Sequence, residues 1–145
     1  MSTITAQTTQ VYSVFIRATP EQVWDAITKP EFTEQYFYGV RVELREGRRV
    51  SGMGDNEWAE DILAADPPRR LVHSWVSAYD PDMAAEEPSR VTWEIEPQDG
   101  GVTKLTVVHD QLEGAPKTAE SVAGGWMFVL SGLKTLLETG KPLAG

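Results

Sequence analysis

Residues 118–138 read TAESVAGGWMFVLSGLKTLLE, and within them Val122, Trp126, Val129, Leu130, Leu133, Leu136 and Leu137 fall on one broad apolar face at helical spacing. This predicts a long amphipathic helix, stopped by Gly140 with Pro142 just beyond. A helix with a stripe that wide needs an equally large apolar surface to cover it. The preceding chain supplies one as short strands. Residues 90–96 and 102–110 alternate apolar with polar and meet through Gln98-Asp99-Gly100-Gly101, a hairpin signal. Residues 57–65 and 70–77 flank the stiff turn Asp66-Pro67-Pro68-Arg69. Val40, Val42 and Leu44 alternate as a half-buried strand should, Glu46-Gly47 turns, 48–53 is a further strand, and Gly54-Asp55-Asn56 turns again. Residues 79–89 carry Pro81, Pro88 and several acids and read as a loop.

At the other end, 11–17 (VYSVFIR) reads as a strand, and Thr19-Pro20-Glu21-Gln22 starts a helix with a cap, a proline at its first position and a capping box. Pro30 interrupts and opens a second short helix over 31–37. Strands in one run with helices segregated to the ends define an α+β fold. The expected architecture is a curved antiparallel sheet of about six or seven strands around the C-terminal helix, with two short helices after the first strand. One domain over 11–142 accounts for the chain, and 1–10 is expected to be a flexible N-terminus.

Composition narrows the function. Lys and Arg number 13 against 22 Asp and Glu, a formal charge of −9, and a surface so acidic repels nucleic acid. No apolar run reaches the roughly 20 residues of a membrane span. The polar first residues lack a signal-peptide pattern, and cytoplasmic residence is expected. Cysteine is absent and there are two histidines, so neither a disulfide framework nor a zinc site is expected. No P-loop and no serine elbow occurs, and Gly52-x-Gly54 is too short for a dinucleotide fingerprint. No cofactor is expected.

The opening VYSVFIRATPEQVWDAITKPEFTEQYF, the run 65–75 (ADPPRRLVHSW), the strand 105–110 (LTVVHD) and the helix residues Gly125-Trp126 and 130–138 together resemble the family named for the activator of the 90-kDa heat-shock protein ATPase. That family is part of the START-like, birch-pollen-allergen-like superfamily, with polyketide cyclases and lipid-transfer domains. The resemblance covers nearly the whole chain and implies a helix-grip fold with a cavity between sheet and C-terminal helix. The region 39–65 is shorter than usual, with Gly52-Met53-Gly54-Asp55 in place of a longer hairpin, which alters one side of the cavity mouth.

Strand parity nominates the lining. Leu105, Val107 and His109 share a face, as do Val91, Trp93 and Ile95, then Leu71, His73 and Trp75, then Trp58, Glu60 and Ile62. The expected ligand contacts are Trp58, Glu60, Trp75, Tyr79, Trp93, Val107, His109, Trp126 and Leu130. An apolar lining with sparse polar groups suits a small apolar molecule, lipid-like, aromatic or polyketide-like. Taken singly, each tryptophan is a core residue, and His109 is a core histidine bonded to its neighbours. Two other readings fit the same residues. One is an enzyme of cyclase type in which His109, Glu60 or Tyr79 moves a proton, attractive if Glu60 and His109 meet. The other is a protein-interaction domain linked to a chaperone or regulator in a stress response. His73 and Ser74, being neighbours in a strand, cannot form a dyad. A homodimer is compatible with all three.

Overall fold

β1 (Gln10–Ile16) is the first element of the described chain, residues 8–144 of a computed structural model. Residues 1–7 of the expected flexible tail lie outside the described residues, while Gln10 already belongs to the strand and is buried. α1 (Pro20–Thr28) starts as its sequence directs. Thr19 Oγ1 accepts from the Gln22 N–H at 3.1 Å, and Gln22 Oε1 accepts from the Thr19 N–H at 2.8 Å. α2 (Pro30–Tyr36) follows after one residue and is tied at both ends. The Tyr36 hydroxyl donates to the Ala26 carbonyl at 2.7 Å, and Thr33 Oγ1 accepts the Val42 N–H at 2.8 Å.

The strands β2 (Arg41–Arg45), β3 (Arg48–Met53), β4 (Asn56–Asp66), β5 (Arg70–Trp75), β6 (Ser89–Pro97) and β7 (Thr103–Asp110) form an antiparallel meander. β1 pairs with β7, so the seven-stranded curved sheet runs β1-β7-β6-β5-β4-β3-β2. Its register sets which side chains face the helix. Trp93 pairs with Val107 and Val91 with His109, and all four are buried. On the opposite parity Thr106 Oγ1 lies 3.0 Å from Ser13 Oγ in an exposed contact, and Arg90 grips Asp110 through two hydrogen bonds of 2.9 and 2.6 Å. Thr92 keeps that outer parity, in register between Val72 and Val108, yet is only 7% exposed.

α4 (Pro116–Thr139) lies across the concave side. Val122, Trp126, Val129, Leu130, Leu133 and Leu136 are buried and Leu137 is partly so, which matches the predicted stripe. β1 holds the helix through Gln10 Nε2 to the Ala119 carbonyl at 2.9 Å, Tyr12 Oη to the Ala123 carbonyl at 3.0 Å, and Lys134 Nζ to the Phe15 carbonyl at 2.7 Å. Gly140, at φ +76°, ends the helix and bonds the Leu136 carbonyl.

Two local readings differ. β5 stops at Trp75 rather than 77, because the chain turns there to meet Glu60. The loop 79–89 contains a helical turn, α3 (Pro81–Ala84), capped by Asp80. Its Glu86 then supplies what α4 lacks, since α4 has no side-chain cap of its own. The Glu86 carboxylate accepts from the Lys117 and Thr118 N–H groups at 2.9 Å each and from the Thr118 hydroxyl at 2.7 Å.

Candidate binding site

A cavity of about 400 Å³ opens between the first half of α4 and strands β3, β4 and β5. Size and position suit a small ligand. Its helix wall is Ser121, Val122, Gly125, Trp126 and Val129; its sheet wall is Arg49, Ser51, Met53, Trp58, Glu60, Trp75 and Val76. Phe37, Tyr38 and Val40, which follow α2, also line it, as does Tyr79, whose hydroxyl lies 3.1 Å from Ser121 Oγ. The exposed rings of Tyr38 and Tyr79 both line the cavity, against the face of α4 that carries Ser121, Gly125 and Phe128.

Of the nine residues expected to line it, Trp58, Glu60, Trp75, Tyr79 and Trp126 do so. Trp93, Val107, His109 and Leu130 do not; they are buried in the core beneath. The reason is the size of Trp126. Its ring packs edge-on to Trp93 (5.4 Å) and His109 (5.9 Å) and beside Trp75 (5.5 Å), so it forms a floor between Trp93 and His109 and the open space.

Both histidines are spoken for. Trp126 Nε1 donates to His109 Nδ1 at 3.0 Å, so His109 carries its proton on Nε2 and donates to Ser89 Oγ at 2.8 Å. Trp93 Nε1 donates in the same way to His73 Nε2 at 2.9 Å, and His73 Nδ1 donates to the Ser74 carbonyl at 2.8 Å. Burial holds His109 down at about 4, against a smaller opposite pull from Asp110, and holds His73 well below the usual range. Both imidazoles are neutral acceptors in the core. Ser74 turns away from His73 and accepts the Asp61 N–H at 3.0 Å.

Glu60 does not meet His109. It faces Arg49 directly across the β3–β4 ladder, and Arg49 Nη1 lies 2.7 Å from Glu60 Oε1 with both side chains buried. Glu60 Oε2 accepts the Val76 N–H at 2.8 Å. Burial pushes the Glu60 carboxyl above its ordinary range, while Arg49 and the Val76 N–H pull it back. Sequence reading missed Arg49 because Arg48-Arg49 looks like a solvated pair. The signal was in the turn: a two-residue connection at Gly54-Asp55 puts Arg49 opposite Glu60, and an inward Glu60 then carries Arg49 inward with it.

An open seven-stranded sheet gripping a long C-terminal helix, with a cavity between them, defines a protein of the helix-grip class. Residues 17–138 match the family described as Activator of Hsp90 ATPase homolog 1-like protein, and the chain belongs to that family. No curated protein matches it in sequence. Among solved structures, CalU16 from Micromonospora echinospora is similar at 26% identity and a TM-score of 0.70, over 94% of this chain and 77% of that one. DynU16, described as a putative protein in the dynemicin biosynthetic locus, shares 22% identity and a TM-score of 0.72 over 94% of this chain and 49% of its own. The Aha1 dimer from Colwellia psychrerythraea gives a TM-score of 0.72 at 13% identity, over 93% and 99%. The last two are likenesses of fold alone. Among the described residues, no helix is long and apolar enough to cross a membrane.

Proposed function

We propose that this chain is a binding module that holds an apolar small molecule, aromatic or lipid-like, between β3–β5 and the first half of α4. The observation that carries the reading is the cavity of about 400 Å³, walled by Phe37, Trp58, Trp75, Val122, Trp126 and Val129 around a single buried ion pair. Burial of apolar surface at about 25 cal/mol per Å² drives such binding, and rigid rings lose little entropy on contact. That CalU16 and DynU16 share the fold, the second from a biosynthetic locus, supports ligands of natural-product type.

Binding without turnover is the better-supported form of this reading. Neither histidine lines the cavity, and each has both ring nitrogens engaged. Glu60 is tied to Arg49 and Val76, which leaves it poorly placed to cycle a proton. The test is a screen of uncharged aromatic compounds against tryptophan emission, with product analysis of every hit. Ligands that bind and return unchanged are expected; conversion of a bound compound would overturn the non-catalytic reading.

Cytoplasmic residence belongs to the same proposal and rests on the cysteine-free sequence. So does pairing of two copies, for which the dimeric Colwellia relative and the exposed stack of Tyr38 on Phe128 (5.5 Å) are the support.

A further inference from the structure

Arg49 and Glu60 are the charged residues of the cavity lining, and the geometry of Arg49 is unusual among the described residues. Its side chain is 4% exposed, and its guanidinium lies against Phe37 and Trp75, 5.7 and 5.5 Å from their ring centres. Nη1 serves Glu60 at 2.7 Å and reaches Ser51 Oγ at 3.4 Å. Nε is buried and has no hydrogen-bond partner in the protein. A buried donor left in that state is unfavourable, more so on a charged group, so an acceptor that reaches it from the cavity gains by meeting it. Glu60, directly opposite, brings the pair's net charge to zero. An anionic ligand would add an uncompensated charge to an apolar space, which is strongly unfavourable; a carbonyl-type oxygen would not.

We infer that Arg49 is the specificity-determining residue of the cavity, donating to an uncharged oxygen acceptor on an aromatic ligand, and that Glu60 excludes anionic ligands by neutralising Arg49. This rests on the reading of the cavity as a ligand site and adds the chemistry by which it selects. The aromatic walls take the flat body of the ligand, and the Arg49–Glu60 pair sets which polar substituent is accepted.

Three probes of one shape test it by calorimetry: 2-ethylnaphthalene, 2-acetylnaphthalene and 2-naphthoate. The wild type should bind the ketone about tenfold more tightly than the hydrocarbon and should bind the carboxylate most weakly. Equal affinity for ketone and hydrocarbon, or preference for the carboxylate, overturns the inference while leaving the cavity a ligand site. Absence of binding by all three overturns the ligand-site reading and the inference with it. In Glu60→Gln the carboxylate-to-ketone affinity ratio should rise at least tenfold, because Arg49 keeps its charge and loses its counter-ion. A ratio equal to the wild type's refutes the role given to Glu60, since a merely structural residue would weaken all probes alike. Replacing the pair together, Arg49→Met with Glu60→Met, removes both charges and keeps apolar volume, a change that buried ion pairs often tolerate. That double variant should bind ketone and hydrocarbon equally; retained preference for the ketone would overturn the assignment of Arg49.

Discussion

His109 and His73 each accept a hydrogen bond from a tryptophan indole and are buried as neutral rings. Their chemistry has a consequence for stability. Between about pH 6.5 and about 4 the unfolded chain binds a proton at His109 and the folded chain does not. The unfolded state binds more protons there, so stability rises with pH across that window and falls as acid is added. The slope from one such group is about 1.4 kcal/mol per pH unit. Glu60, pushed upward, acts in the opposite sense, so wild type alone gives a mixed profile. His109→Gln isolates the histidine, because a glutamine can accept from Trp126 and donate to Ser89 without titrating. Urea titrations at pH 7, 6 and 5 should show the wild type losing stability more steeply than His109→Gln, and parallel losses would refute the neutral buried ring. At this scale the sequence pointed to His109 through parity alone. It could not reveal that Trp126 stands between that ring and the cavity, because ring packing depends on the separation of helix and sheet.

α4 shows what a helix pattern does and does not carry. The stripe from Val122 to Leu136, with Gly140 as its end, follows from spacing and chirality. The role of its glycines does not, because close approach depends on neighbours far away in sequence. Two adjacent glycines at 124 and 125 suggest a bend or a close approach to the sheet, but a Cβ at Gly124 would meet nothing within 4 Å. The close approach lies at Gly132, where a Cβ would come within 3.1 Å of the Tyr36 Cβ on α2. The two positions should therefore respond differently to alanine. Gly124→Ala should stabilise by about 1 kcal/mol, the difference in helix propensity. Gly132→Ala gains the same propensity but pushes α2 away, so it should be neutral or destabilising. Thermal melts of both variants check this, and equal stabilisation would place α2 further from α4 than found here. Elements whose signals are local, such as the Thr19 capping box and the two-proline turn, were legible in full. The Glu86 cap on α4 was not, since it joins residues 86 and 117–118 through the fold.

For the molecule as a whole, the location of the site follows from how the two halves of α4 meet the rest of the fold. The lower half of α4, from Leu130 to Leu136, packs into core with α1, α2 and the sheet. The upper half, from Ser121 to Val129, faces the cavity. Fold class, strand order and the helix face were readable because alternation and helical spacing are properties of contiguous segments. Which half stays open was not, because it depends on how the short strands β2 and β3 and Tyr38 sit relative to it. A single substitution separates the two halves functionally. Gly125 lines the cavity, and a Cβ there would make only an ordinary contact, 3.7 Å from Tyr38 Oη. In Gly125→Phe the new ring has the open space as its place to go, and a helix interior favours Phe over Gly. The variant should fold with a melting temperature at or above that of the wild type and bind 2-acetylnaphthalene at least tenfold more weakly. A bound ligand stabilises by RT ln(1 + [L]/Kd), so the same variant should also lose most of the rise in melting temperature that excess ligand gives the wild type. Wild-type affinity and ligand-induced stabilisation in a folded Gly125→Phe would mean that ligand binds elsewhere than beneath the first half of α4.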